Sequence, residues 1–156
     1  MTDAMTTERA VPEPLLSAGV VYADASRAGA IASARAFTAE FLADAPTLPR
    51  GPVGTGHVEL AQLVVSELVT NAIRHTTGPC RLLLELSHHT LEISVFDQET
   101  TAPVPCGHDP SRIGRHGVEI VVAVCESLTV EPVPEGKRVR ARLSLLPEDA
   151  ADPAHP

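Results

Sequence analysis

Residues 138–146 read RVRARLSLL. Val139, Ala141, Leu143 and Leu145 fall on one parity, and Arg138, Arg140, Arg142 and Ser144 fall on the other. Successive side chains of a strand point to opposite faces, so this stretch predicts a strand with one buried face and one wet face. Such a strand suits an antiparallel sheet covered by helices on one side only. The arginine row then reads as a solvated sheet face, paired across strands with Glu85, Glu92 and Glu131.

The neighbours of that strand can be read outward from it. Leu128–Val133 precedes it across a turn at Pro134-Glu135-Gly136-Lys137. Two apolar, β-rich runs, Cys80–Ser87 and Leu91–Asp97, are joined by His88, His89 and Thr90 and predict a hairpin. Leu15–Tyr22 supplies a first strand.

The covering helices come next. Asp24 or Ser26 can cap a helix running to about Ala43, with Ile31, Ala34, Arg35, Phe37, Phe41 and Leu42 spaced for one buried face. Prolines 46, 49 and 52 and glycines 51, 54 and 56 mark a connecting loop. A second helix is expected from about His57 to Thr76, stopped by Gly78-Pro79. Ala61, Val64, Val65, Leu68, Val69, Ala72 and Ile73 fill its apolar arc, with Glu67, Asn71 and Arg74 on a narrow polar stripe beside it. A third helix is expected over about Gly117–Glu126. Residues 1–14 and 147–156 read as a disordered lead and tail around one domain, 15–146.

Composition bounds the function. The chain has 156 residues and is 44% hydrophobic, enough for a single core, and aromatics make up only 3%, so Leu, Val, Ala and Ile must build it. A net charge of -8 argues against a nucleic-acid binder, which needs a basic face to replace phosphate counterions. No run reaches membrane-spanning length, and MTDAMTTERA lacks the apolar segment of a signal peptide. Cys80, Cys106 and Cys125 have no metal-ligand spacing and are odd in number, which points to reduced thiols and a cytoplasmic location. His88 and His89 sit at a hairpin tip, and no helix carries H-x-x-x-H, so a structural metal site is not expected.

Four features carry possible chemistry. Glu67 and Asn71 are one helical turn apart, so both side chains point the same way. An amide oxygen suits Mg²⁺ shared with phosphates, and a carboxylate nearby can orient or deprotonate a hydroxyl. A solvated helix face would look the same. Asp97 shares the parity of Leu91, Ile93 and Val95, so it is expected to point into the core at a strand end. A buried carboxylate needs a partner. An adenine amine would serve, as would a loop cap or a core arginine. Residues 98–113 form a sixteen-residue polar stretch of the kind that often acts as a lid. Gly114-Arg115-His116-Gly117 then opens a helix, where backbone N–H groups can meet an anion, although a lone G-x-x-G is more often a plain turn.

Taken together, SELVTNAIRH, VFDQETTAP and GRHGVEIV resemble the N, G1 and G2 boxes of the Bergerat ATP-binding fold. That superfamily includes sensor histidine kinases, gyrase B, Hsp90 and MutL. The chain is most similar to its small anti-sigma factor serine kinase branch of actinobacterial type, over about residues 15–146. The resemblance implies an α/β (α+β) two-layer sandwich with a mixed, largely antiparallel sheet and about three helices on one face. It implies Asn71 as the Mg²⁺ ligand, Glu67 as the catalytic carboxylate and Asp97 as the adenine-binding acid. It places Gly114, Arg115, His116 and Gly117 at the phosphates, His75 near the nucleotide and 98–113 as the ATP lid. ATP and Mg²⁺ would be the cofactors. The partners would be an alternative sigma factor and a STAS-type antagonist, with a homodimer using the helix from Asp24 and its loop to Pro52. One departure stands out: the group carries D-x-G-x-G, whereas residues 97–101 here read DQETT. The missing glycines favour a non-catalytic binding module. The intact Glu67, Asn71 and Asp97 favour the enzyme.

Overall fold

The computed structural model describes residues 13–23, 27–45, 53–75, 78–98, 119 and 121–145. Its elements in chain order are β1 (Leu16–Tyr22), α1 (Arg27–Ala43), α2 (Thr55–His75), β2 (Cys80–Leu86), β3 (Thr90–Asp97), β4 (Ser127–Val133) and β5 (Gly136–Ser144). Residues 119 and 121–124 are also helical. They belong to the third helix expected over 117–126, which ends early: Cys125 donates its N–H to the Val121 carbonyl at 3.0 Å, and β4 starts at Ser127. The proposed caps at Asp24 and Ser26, most of the lead and lid, and the tail lie outside the described residues.

The five strands form one sheet in the order β1-β2-β3-β5-β4. Each of the four pairings is antiparallel, which corrects the mixed sheet expected above. The pairing whose direction a connection leaves most open is that of β1, which reaches β2 through two helices. Such a connection permits either direction, and side-chain parity is the same for both. Here Leu16 lies opposite Leu86 and Tyr22 opposite Cys80.

The register stacks one apolar parity across the sheet. Leu84 faces Ile93, and Ile93 faces Ala141; Leu82 faces Val95, and Val95 faces Val139. Leu82, Leu84, Leu86, Leu91 and Ile93 have no solvent exposure. Burying each contributes roughly 1.5–3 kcal/mol. Helix α2 packs on β2, β3 and β5 with Ala61, Val64, Val65, Leu68, Val69 and Ala72, all buried; Ile73 is half-buried. Helix α1 packs mainly on α2. Its buried side chains are Ala30, Ala34, Thr38, Phe41 and Leu42, while Ile31 and Phe37 are half-buried. Arg35, expected on the buried face, is exposed. It works across the helix pair instead: its guanidinium donates to Ser66 Oγ at 3.1 Å, and its carbonyl accepts from Gln62 at 3.0 Å. Thr38, missed by the apolar count, satisfies its hydroxyl on the Ala34 carbonyl at 2.8 Å.

The opposite face carries the arginine row. Glu92 receives Arg138, Arg140 and Arg142 at 3.5, 3.3 and 3.4 Å, and Glu131 receives Arg138 and Arg140 at 3.5 and 3.6 Å. Glu85, expected in the same network, makes no ion pair among the described residues; it lies directly across from Glu92, where the like charge belongs to the arginines' main acceptor. Arg138 also donates from Nε and Nη2 to the buried Ser94 hydroxyl at 3.1 and 2.9 Å. Half-exposed pairs of this kind contribute about 0–1 kcal/mol each. The apolar side therefore decides which face the helices cover.

Cys125 sits half-buried where the helical segment ends. Burial, and then the charge of Glu126, push its thiol up to about 11. In the unfolded chain a thiol ionises near ~8.5. Between those values the unfolded state has lost the proton and the folded state keeps it, so stability is intact below the lower value and falls as pH rises toward the higher one. The urea midpoint is therefore expected to drop between pH 8 and pH 10.5, and Cys125→Ser is expected to shallow that drop. Cys80, whose thiol is also pushed up by burial and then by Asp97, leaves a residual slope.

Candidate functional site

Asp97 ends β3 on the parity of Ile93 and Val95, and it points inward as the alternation predicts, with 3% exposure. Its register partner on β5 is Lys137. Lys137 shares the parity of Val139, Ala141 and Leu143, so its side chain also points to the covered side. The ammonium stands 3.3 Å from Asp97 Oδ2, with side-chain exposures of 13% and 1%. The partner expected as a core arginine or a ligand amine is thus, in the chain itself, a lysine.

Two glycines shape this end of the sheet. Gly136 has φ +155, a conformation open to glycine alone in practice. A Cβ there would collide with the Asp97 carbonyl oxygen and come within 2.7 Å of Gln98 Cα. Missing that carbon, the β4–β5 turn lies flat on the Asp97–Gln98 backbone. At Gly78 a Cβ would meet the Gln98 amide, with Cδ at 3.0 Å, so the Gln98 side chain lies over the Gly78 backbone. A cavity of about 200 Å³ opens beside this corner, lined in part by Pro79, Cys80, Arg81, Phe96, Asp97 and Gln98. The Arg81 guanidinium stacks 4.0 Å from the Phe96 ring centre at its rim.

Glu67 and Asn71 stand on α2, half-buried, with Arg74 exposed further along. Among the described residues neither Glu67 nor Asn71 has its side chain engaged in a hydrogen bond or ion pair. The C-terminal end of α2 and the Asp97 end of β3 lie at the same end of the molecule. Helix α2 ends at His75, β2 starts at Cys80, Arg81 pairs with Phe96, and Gly78 touches Gln98. Glu67 and Asn71 do not line the cavity at Asp97. Asp97 is thus at the end of the fold where α2 also ends, with Asn71 and Glu67 about one and two turns back along that helix, and the three are not joined in one described pocket. The His75 side chain and Gly114, Arg115, His116 and Gly117 lie outside the described residues.

A second concavity, about 240 Å³, lies on the arginine face between Glu85, Glu92 and the three arginines. Its guanidinium groups are already engaged with Glu92. Lys137, Gly136 and Gln98 are the residues that the sequence reading did not single out. The signal for Lys137 was present, because extending the β5 alternation back two residues puts it on the buried parity. No family model matches this chain, and no curated protein matches it.

Proposed function

We propose that this chain is a nucleotide-binding regulator of anti-sigma factor type, which binds ATP with Mg²⁺ and controls an alternative sigma factor by partner switching with a STAS-type antagonist. One observation supports the reading: a carboxylate with 3% exposure, Asp97, ends β3 at the end of the fold where α2, the helix that carries Glu67 and Asn71, also ends. The residues fit the groups. Asp97 can accept an exocyclic amine hydrogen of adenine. Asn71 offers a neutral oxygen to Mg²⁺, which keeps most of its waters and takes the rest of its shell from phosphates. Bound there, Mg·ATP supplies a γ-phosphoryl group to transfer. Glu67 can accept the proton of a serine or threonine hydroxyl on the antagonist.

A second reading has its own support. Gln98 stands where the resembling kinases have residues leading to glycine, and it covers Gly78, while Lys137 pairs with Asp97. These features favour a binding module without turnover. Incubation with γ-labelled ATP and a STAS-type antagonist separates the two: transfer of label to the antagonist supports the kinase, and binding without transfer supports the module.

The nucleotide reading itself is tested by calorimetric titration with Mg·ATP. Asp97→Asn is expected to weaken binding by about tenfold or more, the usual effect of losing a hydrogen bond to a charged group. Asn71→Ala is expected to bind ATP equally with and without Mg²⁺. Parent-like titrations from both variants would remove these residues from the site.

A further inference from the structure

We infer that Lys137 is an internal competitor for the ligand of Asp97, holding the base-recognition end of the site closed until a ligand displaces its ammonium. The inference deepens the nucleotide reading above and rests on it. Three contacts converge on the same corner. Lys137 lies opposite Asp97 in the β3–β5 register and reaches its carboxylate at 3.3 Å. Gly136, one residue earlier, packs its backbone on the Asp97 carbonyl and the Gln98 backbone, which fixes where Lys137 leaves the turn. Gln98 then lays its amide against Gly78, in the connection between α2 and β2, and lines the cavity beside Asp97.

The chemistry sets the direction of the effect. A carboxylate with 1% side-chain exposure has little access to water, so each partner must be supplied by protein or ligand. A base amine would approach the carboxylate as a neutral donor, whereas the lysine ammonium holds it as a charge at 3.3 Å, an ion pair without a hydrogen bond to Oδ2, and in a site with little water that attraction is strong. A ligand that reaches Asp97 must therefore displace the ammonium or share the carboxylate with it. Lys137 retains 13% exposure, so its head can swing toward water on a long flexible stem. Methionine at 137 keeps a stem of similar length and removes the competing donor. The ligand amine then meets the carboxylate without competition from the ammonium.

The test is calorimetric titration of the full chain with Mg·ATP and with Mg·purine riboside triphosphate, which lacks the 6-amino group. The proteins are the parent, Lys137→Met, Lys137→Arg and Asp97→Asn, with folding checked by circular dichroism. Lys137→Met is expected to bind ATP roughly tenfold more tightly than the parent and to widen the preference for ATP over the amino-less nucleotide. Lys137→Arg, which keeps a charged donor, is expected to stay near the parent on both counts. A merely structural lysine would not move the discrimination between the two nucleotides. Should Lys137→Met fail to fold, Lys137→Gln provides a neutral donor of shorter reach, and an intermediate gain is expected. Equal or weaker ATP binding by the neutral variants, with Asp97→Asn still impaired, would overturn the competitor role and leave the nucleotide site standing. Failure of every folded protein to bind either nucleotide would overturn both.

Discussion

Gly136→Ala is expected to destabilise the protein by about 4 kcal/mol, the largest effect of any single methyl group in the described fold. Two costs add. The backbone there, at φ +155, is one an L residue adopts only under strain of ~1–3 kcal/mol. The new carbon would also overlap the Asp97 carbonyl oxygen and crowd Gln98, backbone atoms that cannot swing aside as a side-chain tip could. Forcing such a contact costs about 1–3 kcal/mol more. Gly56, in the first turn of α2, is the control: a Cβ there meets nothing within 4 Å. Gly56→Ala should stabilise by about 0.5 kcal/mol, because alanine loses less backbone entropy in a helix. Urea denaturation of the two variants should shift the midpoint in opposite directions. A Gly136→Ala midpoint equal to the parent's would mean that the β4–β5 turn does not press on Asp97.

The second large effect belongs to the pair that this turn positions. Asp97→Ala leaves an ammonium of 13% exposure without its counter-charge, and Lys137→Met takes the cationic partner from a carboxylate of 1% exposure. Each is expected to cost about 3 kcal/mol, at the lower end for breaking a buried pair because the lysine head keeps some water. The double variant is expected to cost about 4 kcal/mol rather than the sum, since no charge is left unmatched. The double-mutant cycle should thus give a coupling of about 2 kcal/mol. Strict additivity would show that solvent, not Lys137, compensates Asp97. The two results also read together: if Gly136→Ala moves the turn, it should erode the coupling.

Much of this was legible in the sequence wherever periodicity was strict. The α2 arc predicted from Ala61 to Ala72 is buried at every position, and the β5 alternation identified the covered and open faces correctly. Asp97 faces inward because parity leaves it no alternative. What periodicity could not reach depends on direction or on reach. The antiparallel entry of β1 leaves the same side-chain pattern as a parallel one. Arg35 lies one turn from Ile31 and Thr38 on the helix, yet its long side chain carries the charge outward to Ser66 on α2. Lys137 was read as part of a turn because Pro134, Glu135 and Gly136 precede it. The two-residue turn at 134–135 starts β5 at Gly136, so Lys137 takes its place on the core parity. For the site, residue types and helix spacing singled out Glu67, Asn71 and Asp97, and the topology ends α2 and β3 at the same end of the fold. The inward parity of Lys137 was readable from the β5 alternation, but its place opposite Asp97 came from register, which no local pattern contains.

The sheet order has a consequence for biosynthesis. Strands β2 and β3 are joined by a short hairpin, as are β4 and β5, so each pair can form soon after it leaves the ribosome. Strand β1 cannot. Its partner to Tyr22 is Cys80, 58 positions later by subtraction. At ordinary elongation rates of about 5–20 residues per second, β1 waits roughly 3–12 s for β2 to be made. The waiting segment, LSAGVVY, carries no charge and no proline to discourage pairing with another nascent chain. Among the described strands, the one made first thus waits longest for its partner, and the interval before β2 emerges is when its bare edge is most exposed to aggregation and most in need of a chaperone.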